Sequence, residues 1–155
     1  MTSLCCDVLE RLRVKGVTLA TAESLTGGGI GAALTAIPGA SDVFKGGVVS
    51  YVNEVKEKLL GVSYEILEQY GAVSAQTAAA MAFGVRELLN ADTAVSVTGL
   101  AGPGGDEFGH SVGTVFIGFA GNRISLVKEY RFEGDREEVR CQTIRAALNL
   151  ILENI

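Results

Sequence analysis

Apolar positions change period several times along the 155 residues, and each change marks an element. Leu4, Val8, Leu9 and Leu12 recur at helical spacing ahead of Lys15-Gly16, which predicts an opening amphipathic helix that covers a sheet face. Val17 to Ala22 is short, apolar and β-prone, and Gly31 to Ile37 continues as a small-residue helix that Pro38 and Gly39 end. Phe44 to Val52 predicts a second strand whose Gly46-Gly47 pair signals close backbone approach. Asn53 is the expected N-cap of a helix over Glu54 to Leu60, closed by Gly61, and a further short helix runs from Tyr64 to Gln69 and stops at Gly71. Ser74 caps the longest clear helix, with Ala78, Met81, Ala82, Val85, Leu88 and Leu89 in one stripe and an end at Asn90-Ala91-Asp92. Thr93 to Thr98 is a β-branched strand. Val112 to Ala120 and Ile124 to Phe132 form an antiparallel hairpin through Gly121-Asn122-Arg123. A long helix follows from Asp135, which stands three residues before Glu138 as in a capping box.

Strands separated by helices, then a hairpin and a terminal helix, predict an α/β fold: a three-layer α/β/α sandwich with a mixed, mostly parallel sheet of about five strands. Two glycine-rich stretches, Gly27-Gly28-Gly29 and Gly99 to Gly105, follow strand ends, where open α/β sheets place their ligand crevice. They are expected to converge on one site. In the first, a strand turns into a helix at Glu23-Ser24-Leu25-Thr26, so unpaired N–H groups and the positive helix end face an anion or oxyanion near Thr26 and Gly27. Ser24 is then either a nucleophile at that point or, like Thr26, a simple helix cap.

Composition narrows the partners. A net charge of −5 with no basic run argues against nucleic acid, and no apolar stretch is long enough to span a bilayer. The N-terminus lacks a secretory layout, and three cysteines (Cys5, Cys6, Cys141), two of them adjacent, suit a reducing compartment, so a cytoplasmic protein is expected. One histidine and no CxxC pair leave only Asp106, Glu107 and His110 as a loose set for a metal, read here as a solvated loop; no metal or cofactor is expected.

With His110 alone in a glycine loop, lysine is the better base for Ser24. Lys56 would be the third residue of a helix capped by Asn53, where the positive helix end lowers an ammonium pKa and partial burial acts the same way; the competing reading is a surface lysine in Glu54-Val55-Lys56-Glu57-Lys58. Tyr51 either passes a proton between Ser24 and Lys56 or is a half-buried strand aromatic. Thr98 ends a strand where its hydroxyl, with the Gly99 and Ala101 N–H groups, is placed to hold a ligand. Arg140 lies in line with Ile144, Ala147 or Leu148, and Ile151, so it is preferred over Arg136 for binding an anion.

These residues fall in TAESLTGG (Thr21 to Gly28), GGVVSYVNEVK (Gly46 to Lys56), GAVS (Gly71 to Ser74), VTGLAGPGG (Val97 to Gly105), VGTVFIGFA (Val112 to Ala120) and GDREEVR (Gly134 to Arg140). Together they make the chain resemble the CinA C-terminal domain family, whose stand-alone members are nicotinamide-nucleotide amidases. The resemblance implies one amidase domain over residues 1–155, without the molybdopterin-binding-like domain that many members carry ahead of it. It also implies a cofactor-free homodimer that hydrolyses nicotinamide mononucleotide to nicotinic acid mononucleotide and ammonia. Ser24, Tyr51 and Lys56 would be catalytic, with Thr26, Gly27, Thr98, Gly99 and Arg140 binding substrate and Glu23 available to neutralise the pyridinium. The rival expectations are a non-catalytic nucleotide-binding module and a Ser/Lys amidase for another small amide.

Overall fold

The computed structural model describes residues 1–155. Five strands, β1 (Leu19–Glu23), β2 (Phe44–Val49), β3 (Thr93–Gly99), β4 (Thr114–Ala120) and β5 (Ser125–Arg131), form one sheet in the order β2-β1-β3-β4-β5. β2, β1 and β3 are parallel, and β4 pairs antiparallel with β3 and β5. Helices α1 (Thr2–Lys15), α2 (Gly29–Thr35) and α6 (Arg136–Asn154) pack with Leu19, Val95, Val97 and Ile117 on one face. Helices α3 (Asn53–Leu60), α4 (Tyr64–Tyr70) and α5 (Ala75–Leu88) cover the other, over Ala20, Ala22 and Ala94. The central strands β1 and β3 are buried along nearly their whole length, as strands covered on both faces must be.

Small residues set how closely the second face packs. A Cβ on Gly118 would come 2.7 Å from the Ala78 carbonyl oxygen, the same atom to which the Ser96 hydroxyl donates at 2.6 Å, so α5 rests almost on the sheet. A Cβ on Gly84 would meet the Leu60 carbonyl oxygen at 1.8 Å, so α3 and α5 touch backbone to backbone. Gly47 shows the close approach expected of its strand, since a Cβ there would overlap the Thr21 hydroxyl at 2.1 Å.

Most predicted elements appear within a few residues of their expected limits. Ser74 accepts from the Thr77 N–H at the start of α5, and Asp135 and Glu138 form the full capping box. Three local readings are corrected. Val52, not Asn53, is the N-cap of α3, without a side-chain cap bond, which makes Lys56 the fourth helical residue. In the expected stripe of α5, Leu89 at the helix end still packs against the cluster of Met81, Val85 and Ala91, but Leu88 is 51% exposed and does not belong to it. The longest helix is α6, with 19 residues against 14 in α5.

Candidate active site

The carboxyl ends of β1, β2 and β3 lie at one edge of the sheet, and since β5 is parallel to them through two antiparallel steps, α6 begins at that edge as well. A cleft of about 240 Å³ opens there, lined by Ser24 and Leu25 after β1, Tyr51 after β2, Lys56 of α3, Ala72 and Val73 before α5, Thr98 to Gly102 and Gly104 at the end of β3, and Arg136 of α6. The two glycine-rich stretches do not contribute equally. Gly99, Gly102 and Gly104 line the cleft, whereas Gly27 to Gly29 turn away from it into α2.

Lys56 is the most telling residue. It is 1% exposed, its Nζ lies 3.2 Å from the Ser24 hydroxyl, and it donates to the Ser50 carbonyl oxygen at 2.6 Å. No carboxylate is among its partners. Burial lowers its pKa to about 8, because an ammonium group away from water is the disfavoured form. Of the two causes expected, burial is the one that lowers it, and Lys56 stands a full turn into α3. Ser24 is itself buried, and its N–H donates to the Val97 carbonyl, so the Ser24 turn is an extension of the β1–β3 ladder.

Glu23 is fully committed to structure. Its carboxylate, 1% exposed, accepts from the Thr26 hydroxyl at 2.6 Å and from the Ile30 and Gly31 N–H groups at 3.0 and 2.9 Å. It satisfies the start of α2 in place of a cap side chain, points to the sheet face opposite Ser24, and is not available to a pyridinium. Ser24 and Thr26 therefore do not cap α2 through its end N–H groups; the N-cap is Gly28 at φ 97°, a conformation that favours glycine.

Several expected contacts are redistributed. Gly27 donates its N–H to the Ser24 carbonyl and so is not free for an oxyanion; the Leu25 and Thr26 N–H groups have no acceptor within the chain, and of these two residues only Leu25 lines the cleft. Tyr51 does not bridge Ser24 and Lys56, which touch directly. Tyr51 is 58% exposed and its hydroxyl accepts from Arg136 Nη2 at 2.8 Å. Thr98 is buried, and its hydroxyl donates to the Ala72 carbonyl at 2.7 Å, tying the end of β3 to the loop before α5.

Arg140 does not line the cleft. Its Nε donates to the Leu25 carbonyl at 3.1 Å and Nη2 to the Thr26 carbonyl at 3.2 Å, while Nη1 pairs with Glu137 at 3.3 Å. Arg136, one turn nearer the helix start, occupies the cleft instead and donates from Nη1 to the Gly102 carbonyl at 2.6 Å. The deciding signal was topological: a helix that begins at the carboxyl edge presents its first turn to the crevice. His110 lies apart from Ser24, with Nδ1 2.7 Å from Asp106 and its ring edge-on to Phe116. Asp106 also accepts the Phe108 and His110 N–H groups, as the side chain of a turn does.

The cleft therefore joins a serine, an unpaired buried lysine and a second cation, with no carboxylate on its walls. The model of the CinA C-terminal domain family matches residues 1–155. The chain belongs to the CinA C-terminal domain family. It is 48% identical over 151 residues to a CinA-like protein of Synechococcus sp., covering 96% of this chain and 36% of that protein. It is 50% identical over 148 residues to a putative competence-damage inducible protein of Halothermothrix orenii, covering 94% and 36%. The chain thus spans about a third of the length of these curated relatives. Solved CinA superfamily structures share the whole architecture. One from Escherichia coli has a TM-score of 0.97 at 35% identity, over 99% of this chain and 90% of that one. The competence damage-inducible protein A of Klebsiella pneumoniae has a TM-score of 0.96 at 36% identity, over 99% and 95%. No helix of this CinA-family chain is long and apolar enough to cross a membrane.

Proposed function

We propose that the cleft hydrolyses the carboxamide of nicotinamide mononucleotide, giving nicotinic acid mononucleotide and ammonia, with Ser24 as nucleophile and Lys56 as its base. The observation that carries this reading is the contact between the buried Lys56 amine and the Ser24 hydroxyl at 3.2 Å, with no carboxylate beside the lysine. A lysine whose pKa is about 8 is neutral in roughly a tenth of molecules at pH 7, against well under a thousandth for an unperturbed one. The Ser50 carbonyl keeps the amine in place whichever proton count it carries.

In the first half-reaction Lys56 accepts the Ser24 proton as the hydroxyl oxygen bonds to the carboxamide carbon, whose carbonyl becomes an oxyanion. The unpaired Leu25 N–H, next after the nucleophile, is the donor best placed to receive that charge. Collapse of the adduct breaks the C–N bond as Lys56 returns its proton to the departing ammonia. A water molecule then attacks the nicotinoyl ester, giving its proton to Lys56, and the ester C–O bond breaks as Lys56 reprotonates Ser24. Arg136, with its guanidinium at the cleft and no carboxylate opposing it, takes the part first expected of Arg140 and binds the phosphate; Tyr51 and the Thr98 to Gly102 loop wall the ring and ribose.

The test is incubation of the purified chain with nicotinamide mononucleotide at pH 8, with assay of both products. Ammonia and nicotinic acid mononucleotide in equal amounts are expected. Binding without release of ammonia would make this a nucleotide-binding module, and release from other small amides alone would move the substrate elsewhere.

A further inference from the structure

The Ser24 turn is held from one side by a guanidinium that never reaches the cleft. Arg140 reaches from α6, on the face opposite Lys56, to the carbonyls of Leu25 and Thr26, and only its third nitrogen meets a carboxylate, that of Glu137. In a trans peptide the N–H points opposite to the carbonyl, so fixing one oxygen aims the next residue's hydrogen. The Thr26 carbonyl, held by Arg140, turns the Gly27 N–H away from α6 and onto the Ser24 carbonyl at 3.0 Å. The Ser24 carbonyl, held in turn, directs the Leu25 N–H the opposite way. That N–H is left without an acceptor on a residue that lines the cleft beside the nucleophile. Glu23 closes the other side of the same turn through the Thr26 hydroxyl and the first N–H groups of α2, so the peptide planes have little freedom to rotate.

We infer that Arg140 is a positioning residue: through two linked peptide planes it aims the Leu25 N–H at the oxyanion that forms on the group attacked by Ser24. This rests on the Ser24 amidase reading. It assigns Arg140 to stabilisation of the tetrahedral adduct and not to substrate binding, which distinguishes it from a phosphate ligand. A lysine in its place keeps the charge but loses the planar fork that reaches two carbonyls at once.

The test compares the wild type with Arg140→Lys and Arg140→Ala in two measurements. The first is affinity for pyridine-3-boronic acid, which forms an anionic tetrahedral adduct on an activated serine and needs no knowledge of the natural substrate; Ser24→Ala supplies the zero. The second is steady-state hydrolysis of nicotinamide mononucleotide. Boronate affinity and kcat are expected to fall together in Arg140→Lys, by about 10- to 100-fold, less than the roughly 100- to 1000-fold that outright removal of one oxyanion donor costs, because the Leu25 N–H is misaimed and not lost. KM is expected to stay within about twofold, and the pH midpoint of kcat/KM, set by Lys56, to remain at about 8. Added guanidinium should restore part of the loss in a folded Arg140→Ala. A raised KM with kcat retained would overturn the inference in favour of ligand binding. Unchanged boronate affinity in Arg140→Lys would overturn it outright, as would a wild type that forms no Ser24-dependent adduct. If the boronate result holds while nicotinamide mononucleotide is not hydrolysed, the substrate reading fails and the role of Arg140 stands.

Discussion

An ammonium group buried without a carboxylate carries a desolvation cost, and Lys56 bears it with only the Ser50 carbonyl and the Ser24 hydroxyl as partners. Its lowered pKa has two measurable consequences. With the neutral amine as the proposed base, kcat/KM should rise with pH and level off above about pH 8, and Lys56→Arg, which keeps the charge and cannot give up a proton, should lose activity. Folding is linked to the same group. Between about pH 8 and the unfolded value near 10.5 the unfolded chain holds the proton that the folded chain has released, so stability rises with pH across that window. Relative to Lys56→Met, the wild type should gain about 2 kcal/mol between pH 7 and pH 10, read from urea midpoints of both proteins. An identical pH dependence in the two would contradict a lowered lysine pKa. The sequence made Ser24 and Lys56 legible as a pair, and burial legible as one of two causes of the lowered lysine pKa. Asn53 looks like a cap, yet Val52 holds that place, which moves Lys56 one residue further into the helix and leaves burial as the cause of its lowered pKa. The sequence preferred Arg140 to Arg136 for its place on the inward stripe, and the structure reverses the choice because the two differ in what faces them rather than in type.

Among the elements, α3 has the most exacting task, because it carries Lys56 to a strand end that it does not itself follow. Its height over the sheet is set by α5 through the contact of Gly84 with the Leu60 carbonyl. Gly84→Ala would gain up to ~1 kcal/mol in helix propensity. It would also place a methyl group 1.8 Å from a backbone oxygen, which cannot yield as a side-chain end does. The clash should win, with a net loss of roughly 2 kcal/mol or more and a fall in activity as Lys56 moves off Ser24. Urea denaturation and kcat measured on the same preparation check both, and unchanged stability would show that α3 and α5 are not locked there. Element types were legible because the apolar period shifts cleanly from 3.6 to 2 along the chain. Element ends were less so: Leu88 and Leu89 both continue the α5 pattern in sequence, but at the end of the helix only Leu89 turns to the core while Leu88 is exposed.

At the scale of the molecule, topology assembles the site. β1 supplies Ser24, the helices of one face supply Lys56 and those of the other supply Arg136 and Arg140, and all meet because β1, β2, β3 and β5 end at one edge. The convergence of the Gly99 to Gly105 loop on that edge was readable from strand order. The divergence of Gly27 to Gly29 into α2 was not, because it follows from a buried carboxylate, Glu23, binding the start of that helix. A protein of net charge −5 thus opens a cleft with two cations and no acid on its walls, suited to an anionic substrate. The central claim is that Ser24 performs the attack, and ammonia release from nicotinamide mononucleotide by wild type and Ser24→Ala, both checked for folding by circular dichroism, tests it most directly. Release by the wild type that vanishes in a folded Ser24→Ala is the predicted result; equal release from both would remove Ser24 as the nucleophile.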